Sequence, residues 1–466
     1  MLRAHLVEDI RSAEVGAAEL FGWDGLMQRA ANALADRLGE LVPANETVLF
    51  LIGPGNNGGD GLFAAARLCG PARAVQVCLL DPERAHTAGL AAALGAGAEL
   101  VEEPADQRWV VDALFGIGST PGLKGRAANF AAWAEETRAH VISVDVPSGI
   151  GVDTGTVPGA AFAARHTVTF GTRKLGLLAG PASLRSGDVD LVDIGLADYL
   201  GQAAIESLEF ADGSLFAQRL RPETTDHKYT RGVLGVLAGS MQYPGAAHLC
   251  VAGALSGPTS MVRFLGERGL ADRVIDRNPE VVAEAGQVQA FVVGSGGPDE
   301  DGPVNQALAA HVPLVIDAAG LSHLPARFEL DALLTPHAGE LAGMLDCARA
   351  EVEADPVTHA QAAARRWNAT VLLKGPRTII ASPDGRLRVN LSGTAWLATA
   401  GAGDVLAGFA GSLLAAGLDA FDAGSLAALL HGVAAERVNP GGPITASGVA
   451  RALPLTLADF LQGAEA

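Results

Sequence analysis

Short apolar runs separated by turn residues dominate the first two hundred positions. "TVLFLIG", "AVQVCLLD", "WVVDALFG" and "HVISVDVPSG" each run into Gly, Asp or Pro, and each has the length of a strand buried on both faces. Between them lie segments of helical character, "LFAAARL", "AGLAAALGA" and "NFAAWAEETRA", and ahead of them "GLMQRAANALADRL" over 25 to 38. Strands alternating with helices predict βαβ units and a parallel sheet covered on both faces. Two further runs, "TVTFG" and "VDLVDIG", extend that sheet to about residue 195. The stretch 200 to 224 has no apolar period and ends in polar "RLRPETTDHKYTRG", which places a boundary near 212. A second α/β pattern follows through "VLGVLAG", "AFVVGSG", "PLVIDAA", "ALLTPH" and "TVLLKG". It closes on a long apolar helical segment, Val405 to Leu418, behind a Gly-rich loop. The two halves are not an obvious repeat of each other.

Composition narrows this picture. A chain of 466 residues exceeds one core and predicts two to three domains. With 49% hydrophobic and 18% charged residues it is globular rather than disordered. A net charge of -19 argues against a broad nucleic-acid surface, which needs clustered Lys and Arg. Cys69, Cys78, Cys250 and Cys347 form no C-x-x-C pair, so reduced thiols in a cytoplasmic protein are expected, with no disulfide framework and no zinc site. The first twenty residues carry both signs of charge and read as no signal peptide. Asp404 splits the least charged region, 389 to 418, so no membrane span is expected. Apolar Ala-rich helix faces serve equally as core or as the interface of a homo-oligomer.

Gly53, Gly55 and Gly58 have the spacing of a dinucleotide loop, after a strand and before a helix, and Asp81 ends the next strand. Asp60 argues against that reading, because a carboxylate repels phosphate. Other strand ends add polar groups. Asp112 ends "VVDALFG", and Asp145 and Ser148 end "VISVDVPSG". Ligands of doubly wound sheets bind at these carboxyl ends. Asn57, Asp112 and Ser148 offer oxygens to a hard cation, and Asp145 offers a proton-transfer group. The same residue types also cap turns and helices. In the second half, Gly401-Ala402-Gly403-Asp404 precedes the long helix. Small residues at a helix start admit an anion, and an aspartate there can take the proton of an attacking hydroxyl.

"GPGNNGGDG", "VDALFGIGSTPGL" and "SVDVPSGIGVDTG" resemble the epimerase domain of the NAD(P)H-hydrate repair enzymes, over residues 1 to 212. That resemblance implies a damaged nicotinamide nucleotide bound by Asn56, Asn57, Gly58, Gly59 and Asp60. It adds Gly116, Ile117, Gly118, Ser119, Thr120, Pro121 and Gly122 on a second loop. It also implies K+ on Asn57, Asp112 and Ser148, with Asp145 at the substrate. Lys124 is a second candidate for proton transfer. The Gly401–Asp404 loop is similar to that of the ribokinase-like kinases. "HKYTRGVLGVLAGS", "FVVGSGGPD", "TPHAGEL" and "LLKGPRTIIA" resemble the ADP-dependent NAD(P)H-hydrate dehydratase domain, over 223 to 466. By that resemblance Lys374, Gly375, Pro376, Arg377, Thr378 and Gly403 bind ADP. Ala246, Gly296, His337 and Asp404 line the hydrate site, Asp404 is the catalytic base, and Mg2+ assists. Tyr229 stands where the family usually has glycine, and "GSGGP" replaces its Gly-Pro-Gly-Leu-Gly.

The expected fold is therefore α/β in two domains, an N-terminal Rossmann-like doubly wound sheet and a C-terminal ribokinase-like α/β/α domain. The expected function is repair of hydrated NADH and NADPH, with epimerisation of R and S forms and ADP-driven dehydration of S. Small molecules are the only partners this implies. A different reading is a small-molecule kinase fused to a dinucleotide-binding module. A third makes the N-terminal half a regulatory binding module.

Overall fold

The computed structural model describes residues 1–71 and 73–463. The chain forms two compact units, one of Arg3–Ile205 and one from Glu206 onward together with Met1–Leu2.

In the first unit seven parallel strands lie in the order Glu99–Val101, Val75–Leu79, Val48–Ile52, Trp109–Ala113, His140–Val144, His166–Phe170 and Asp188–Val192. One of them, Glu99–Val101, is short and largely exposed and was not read from the sequence, and the other six are the apolar runs that were. Their continuity has a simple cause. Along Val48–Ile52 every residue is buried, but alternate side chains enter different cores. Val48, Phe50 and Ile52 pack with Ile10, Leu26, Leu34 and Leu62 from helices on one face. Leu49 and Leu51 pack on the other with Ala127, Phe130 and Ala134 of helix Gly125–Glu136. A helix over Val7–Phe21, missed in the sequence, joins the first of these faces through Ile10, Ala13 and Ala17.

Chain order sets where a ligand can enter. From Val48–Ile52 the sheet grows first to Val75–Leu79 on one side and later to Trp109–Ala113 on the other. The connections diverge between those strands, which leaves a crevice at their carboxyl ends. The Gly53–Asp60 segment and Asp112 sit there.

The second unit repeats the principle with a different tail. Six strands, Met261–Phe264, Val233–Leu237, Ala290–Val293, Leu314–Ile316, Ala332–Leu334 and Thr370–Leu373, are parallel. An antiparallel pair, Thr378–Ala381 and Leu387–Asn390, continues the sheet. Helices Ala402–Ala415 and Ala420–Val438 are buried along nearly their whole length, which accounts for their all-round apolar composition. No helix among the described residues is long and apolar enough to cross a membrane. All four cysteines are free.

The stretch expected to be irregular is not. It holds strand Ile205–Ser207, in which Glu206 pairs with Arg388, and helix Ser214–Leu220. Phe210 and Phe216 pack against Phe460, with ring centroids 5.6 and 6.0 Å apart. Too few apolar residues recur there to show a period, and their burial depends on a helix more than two hundred positions later.

The glycine fingerprint also serves packing. A Cβ on Gly53 would lie 1.8 Å from the Leu114 carbonyl oxygen, and one on Gly58 would lie 2.1 Å from the Gly53 carbonyl oxygen. Glycine is what lets helix Asn56–Leu68 close on the strand ends. Gly53→Ala is therefore expected to lower unfolding free energy by about 1–3 kcal/mol through forced backbone displacement, read as a lower midpoint in urea denaturation.

Candidate active sites of the two units

At the first crevice Asp112 is fully buried. It accepts hydrogen bonds from the Ser148 hydroxyl at 2.6 Å, the Ser148 backbone N–H at 2.8 Å, the Ser143 hydroxyl at 2.9 Å and the Leu114 N–H at 3.3 Å. Burial pushes its carboxyl above the usual range, and these donors pull it back in part. Among the described residues no lysine or arginine is hydrogen-bonded to it. Asn57, in the first turn of helix Asn56–Leu68, lies beside Gly116, whose added Cβ would be 3.1 Å from the Asn57 Oδ1. The buried Asn57 Nδ2 has no hydrogen-bond partner. The two ends of an amide are told apart only by their partners, so a buried amide without one fits a cation ligand as well as a donor. The structure thus brings Asn57, Ser148 and Asp112 to one end of the sheet, with oxygens suited to a hard cation.

Asp145 follows strand His140–Val144 with φ 68, a left-handed conformation that a non-glycine residue adopts only when its surroundings hold it. Its N–H donates to the Val168 carbonyl at 2.7 Å, and its carboxylate accepts from Thr169 at 3.3 Å and from the Lys174 ammonium. Lys174 is itself buried and also donates to Thr169 at 2.9 Å and to the Phe170 carbonyl at 3.0 Å. Two more carboxyls act on this pair. Asp60 is held well above the usual carboxylate range by burial and then by the negative charge of Asp145 and Glu14. Glu14, from helix Val7–Phe21, is raised by burial and by Asp145, against Lys174 and Arg11. The second loop closes over the same region, since a Cβ on Gly118 would meet Arg11 at 3.2 Å.

Lys174 and Glu14 were not found in the sequence. Lys174 sits in "TRKLG", 29 positions beyond Asp145, with no motif around it. Lys124 lies differently from expectation. It is the exposed N-cap of helix Gly125–Glu136 and makes no hydrogen bond or ion pair among the described residues, so the lysine beside Asp145 is Lys174.

In the second unit Asp404 is not in a loop before the helix. Gly401, with φ 86, is the N-cap, and Asp404 lies within the first turn of Ala402–Ala415. There the unsatisfied N–H groups and the helix dipole face an incoming anion. Burial, then Asp317, pushes the Asp404 carboxyl up to about 6, against the opposing Lys374. Lys374 ends strand Thr370–Leu373, and its ammonium is 2.9 Å from Asp317 and 3.8 Å from Glu340. Burial alone would lower this lysine, but Asp317 and Glu340 outweigh it and raise it. A Cβ on Gly403 would be 3.5 Å from the Lys374 ammonium, so both expected nucleotide residues share one corner.

Asp317, which the sequence reading passed over, anchors this corner. Nearly fully buried, it accepts from Ser295 at 2.9 Å and Thr335 at 2.8 Å besides Lys374. His337 caps helix Ala338–Leu345 in a reciprocal box with Glu340. The Lys374 N–H donates to the Pro336 carbonyl at 2.8 Å, which holds that cap beside the lysine. Gly296 and Ala246 meet directly, since a Cβ on Gly296 would be 2.2 Å from the Ala246 methyl. Gly375 and Pro376 form the exposed turn after Lys374, and Thr378 starts the next strand. Arg377 donates to the Leu391 carbonyl at 3.0 Å, while its buried Nε lacks a partner and burial lowers its guanidinium. His431, fully enclosed behind the turn, is pushed down to about 4 by burial, against a hydrogen bond with the Ala402 backbone.

Residues 234–446 match the family model described as NAD(P)H-hydrate dehydratase, and residues 24–176 match that described as YjeF-related protein N-terminus. The bifunctional NAD(P)H-hydrate repair enzyme of Mycobacterium tuberculosis is 40% identical over 444 residues, 91% of each chain. The enzyme of that name from Escherichia coli is 31% identical over 457 residues, 92% of this chain and 88% of the other. A solved ADP/ATP-dependent NAD(P)H-hydrate dehydratase from Bacillus subtilis, co-crystallised with ATP and Mg2+, is 27% identical, with TM-score 0.48 over 52% of this chain and 94% of that one. With identity of this extent running through both units, the chain belongs to the family of bifunctional NAD(P)H-hydrate repair enzymes.

Proposed function

We propose that the first unit interconverts the R and S hydrates of NADH and NADPH, and that the second dehydrates the S form at the expense of ADP. The observation that carries this is the pairing of two carboxylate sites of different character in one chain. One holds a buried Asp145–Lys174 pair, and the other holds Asp404 at a helix N-terminus beside Lys374.

In the first site the hydroxyl on C6 of the nicotinamide ring must leave and return on the other face. Asp145 and Lys174, in contact, supply an acceptor and a donor for that proton traffic. The segments 56–60 and 116–122 would hold the nucleotide, with Lys124 at their rim. Asn57, Asp112 and Ser148 would hold K+. When bound, it would offset the Asp112 charge.

In the second site Asp404 takes the proton of the S hydrate's C6 hydroxyl. The oxygen forms a bond to the β-phosphorus of ADP as the bond to AMP breaks. Phosphate then leaves C6 with loss of a C5 proton, which restores the dihydronicotinamide. Gly403 and residues 374–378 would seat the ADP phosphates, and Ala246, Gly296 and His337 would line the hydrate. Mg2+, held by carboxylate oxygens and phosphate, would neutralise developing charge. The free cysteines suit a reducing compartment, and cytoplasmic placement is part of this proposal.

An R and S mixture of NADH hydrate with ADP, Mg2+ and K+ tests both halves through return of dihydronicotinamide absorbance. Full recovery is expected, and no ADP-dependent recovery would overturn the reading in favour of a kinase. Asp145→Asn is expected to recover the S fraction at an unchanged rate and then stall. An equal loss of both phases would sink the assignment of epimerisation to the first unit.

Asp404→Asn is expected to slow ADP-dependent dehydration by about 10²–10⁴-fold. The base must be ionised, so the wild-type rate should fall as pH drops through about 6. The stability effect has the opposite sense. A carboxyl raised by folding favours the folded state at low pH and loses that contribution as pH rises through about 6. At pH 8 the Asn variant should therefore melt no lower than wild type, by calorimetry.

A further inference from the structure

Away from both sites, the turn between helices Ala338–Leu345 and Pro356–Trp367 gathers a thiol, a carboxylate and an imidazole. The Cys347 sulfur, a Glu351 oxygen and a ring nitrogen of His359 all lie within 4.8 Å of one another. Cys347 and His359 are half-buried and Glu351 is exposed, so solvent reaches the cluster.

Among the described residues two of the three donors are not otherwise engaged, and the third is oriented by a backbone carbonyl. Cys347 follows the left-handed Asp346, and its N–H donates to the Ala342 carbonyl at 3.0 Å. Glu351 lies on the short helix Arg349–Ala354, whose arginine is diverted to Glu353 at 2.8 Å. Among the described residues neither the Cys347 nor the Glu351 side chain has a hydrogen bond or ion pair. His359 Nδ1 is 2.7 Å from the Asp355 carbonyl, one turn earlier on the same helix. A carbonyl only accepts, so Nδ1 carries the proton and Nε2 keeps its lone pair. Ligating histidines are characteristically oriented in this way, with the other nitrogen anchored to a carbonyl.

We propose that Cys347, Glu351 and His359 form a binding site for a divalent transition-metal ion of the zinc class. Sulfur, imidazole nitrogen and one carboxylate oxygen suit a borderline-soft ion and disfavour Mg2+ or K+, which prefer oxygen alone. Three protein ligands leave a fourth tetrahedral position to water. The absence of a C-x-x-C pair pointed away from zinc, but Cys347, Glu351 and His359 are close in sequence and the turn between the helices brings their mixed donors together. The ion would brace the C-terminal end of the helix whose N-terminus carries His337 and Glu340.

Full-length protein stripped with a chelator and titrated with Co2+ tests this. One equivalent should produce a thiolate-to-Co2+ charge-transfer band, and Zn2+ should abolish it. Cys347→Ser should remove the band, and His359→Gln should weaken Co2+ binding at least about tenfold. No band, or a band that survives Cys347→Ser, would overturn the site. A measurement without variants guards against misfolding. Zn2+ should protect Cys347 from alkylation in the wild-type chain, read by peptide mass, and equal labelling with and without Zn2+ would also overturn it.

Discussion

A lysine held against a buried aspartate at the end of a parallel strand, buried in the first unit and half-buried in the second, is the interaction on which each candidate site depends. Lys174 and Asp145 make it in the first unit, Lys374 and Asp317 in the second. A parallel sheet covered on both faces leaves little room for charge except at its carboxyl edge. There an unpaired buried carboxylate is costly, and an ammonium in contact offsets that cost only with further hydrogen bonds. Both pairs have such bonds, from Thr169 and the Phe170 carbonyl in one case, and from Ser295 and Thr335 in the other.

The pairs also divide labour among neighbouring acids. Each lysine is hydrogen-bonded to one aspartate, and the neighbouring carboxyls are raised first by burial and then by the negative charge of that aspartate. Asp60 and Glu14 in the first unit and Asp404 in the second are all raised. A carboxyl poised near 6 accepts a proton readily at neutral pH and releases it again, which suits a base in phosphoryl transfer. Asp112 is handled by other means. Three of its four donors come from Ser143 and Ser148, and no lysine or arginine among the described residues is hydrogen-bonded to it.

Glycine links the sites to the scaffold. At Gly53 and Gly58 the backbone of the first loop lies against the strand ends so closely that a methyl would collide. At Gly403 the fit is looser, and an added Cβ would make ordinary contact with the Lys374 ammonium at 3.5 Å, which places the helix start beside that lysine. The loops of the candidate sites are thus held by the packing that stabilises the sheets.

The sequence by itself determined most of the buried strands and the loops at their ends. Each buried strand is a short run of apolar residues, and each candidate loop is a compact set of small and polar residues such as "GPGNNGGDG". Such patterns are local, so they are legible one segment at a time. Even the glycine fingerprint was legible, though the burial that raises the Asp60 carboxyl within it was not. What only the tertiary structure decided was which charges meet. Lys174 lies 29 positions from Asp145, and Lys374 lies 57 from Asp317, with no motif to join them. Glu14 reaches its cluster from a helix whose pattern gave no sign of a site, and Lys124, which adjoins one, stays in solvent. Phe210 and Phe216 looked like linker until Phe460 covered them. Strand order and the return of distant helices set these distances, and the energy of a buried charge depends on what stands within a few ångströms of it rather than on what lies beside it in the chain.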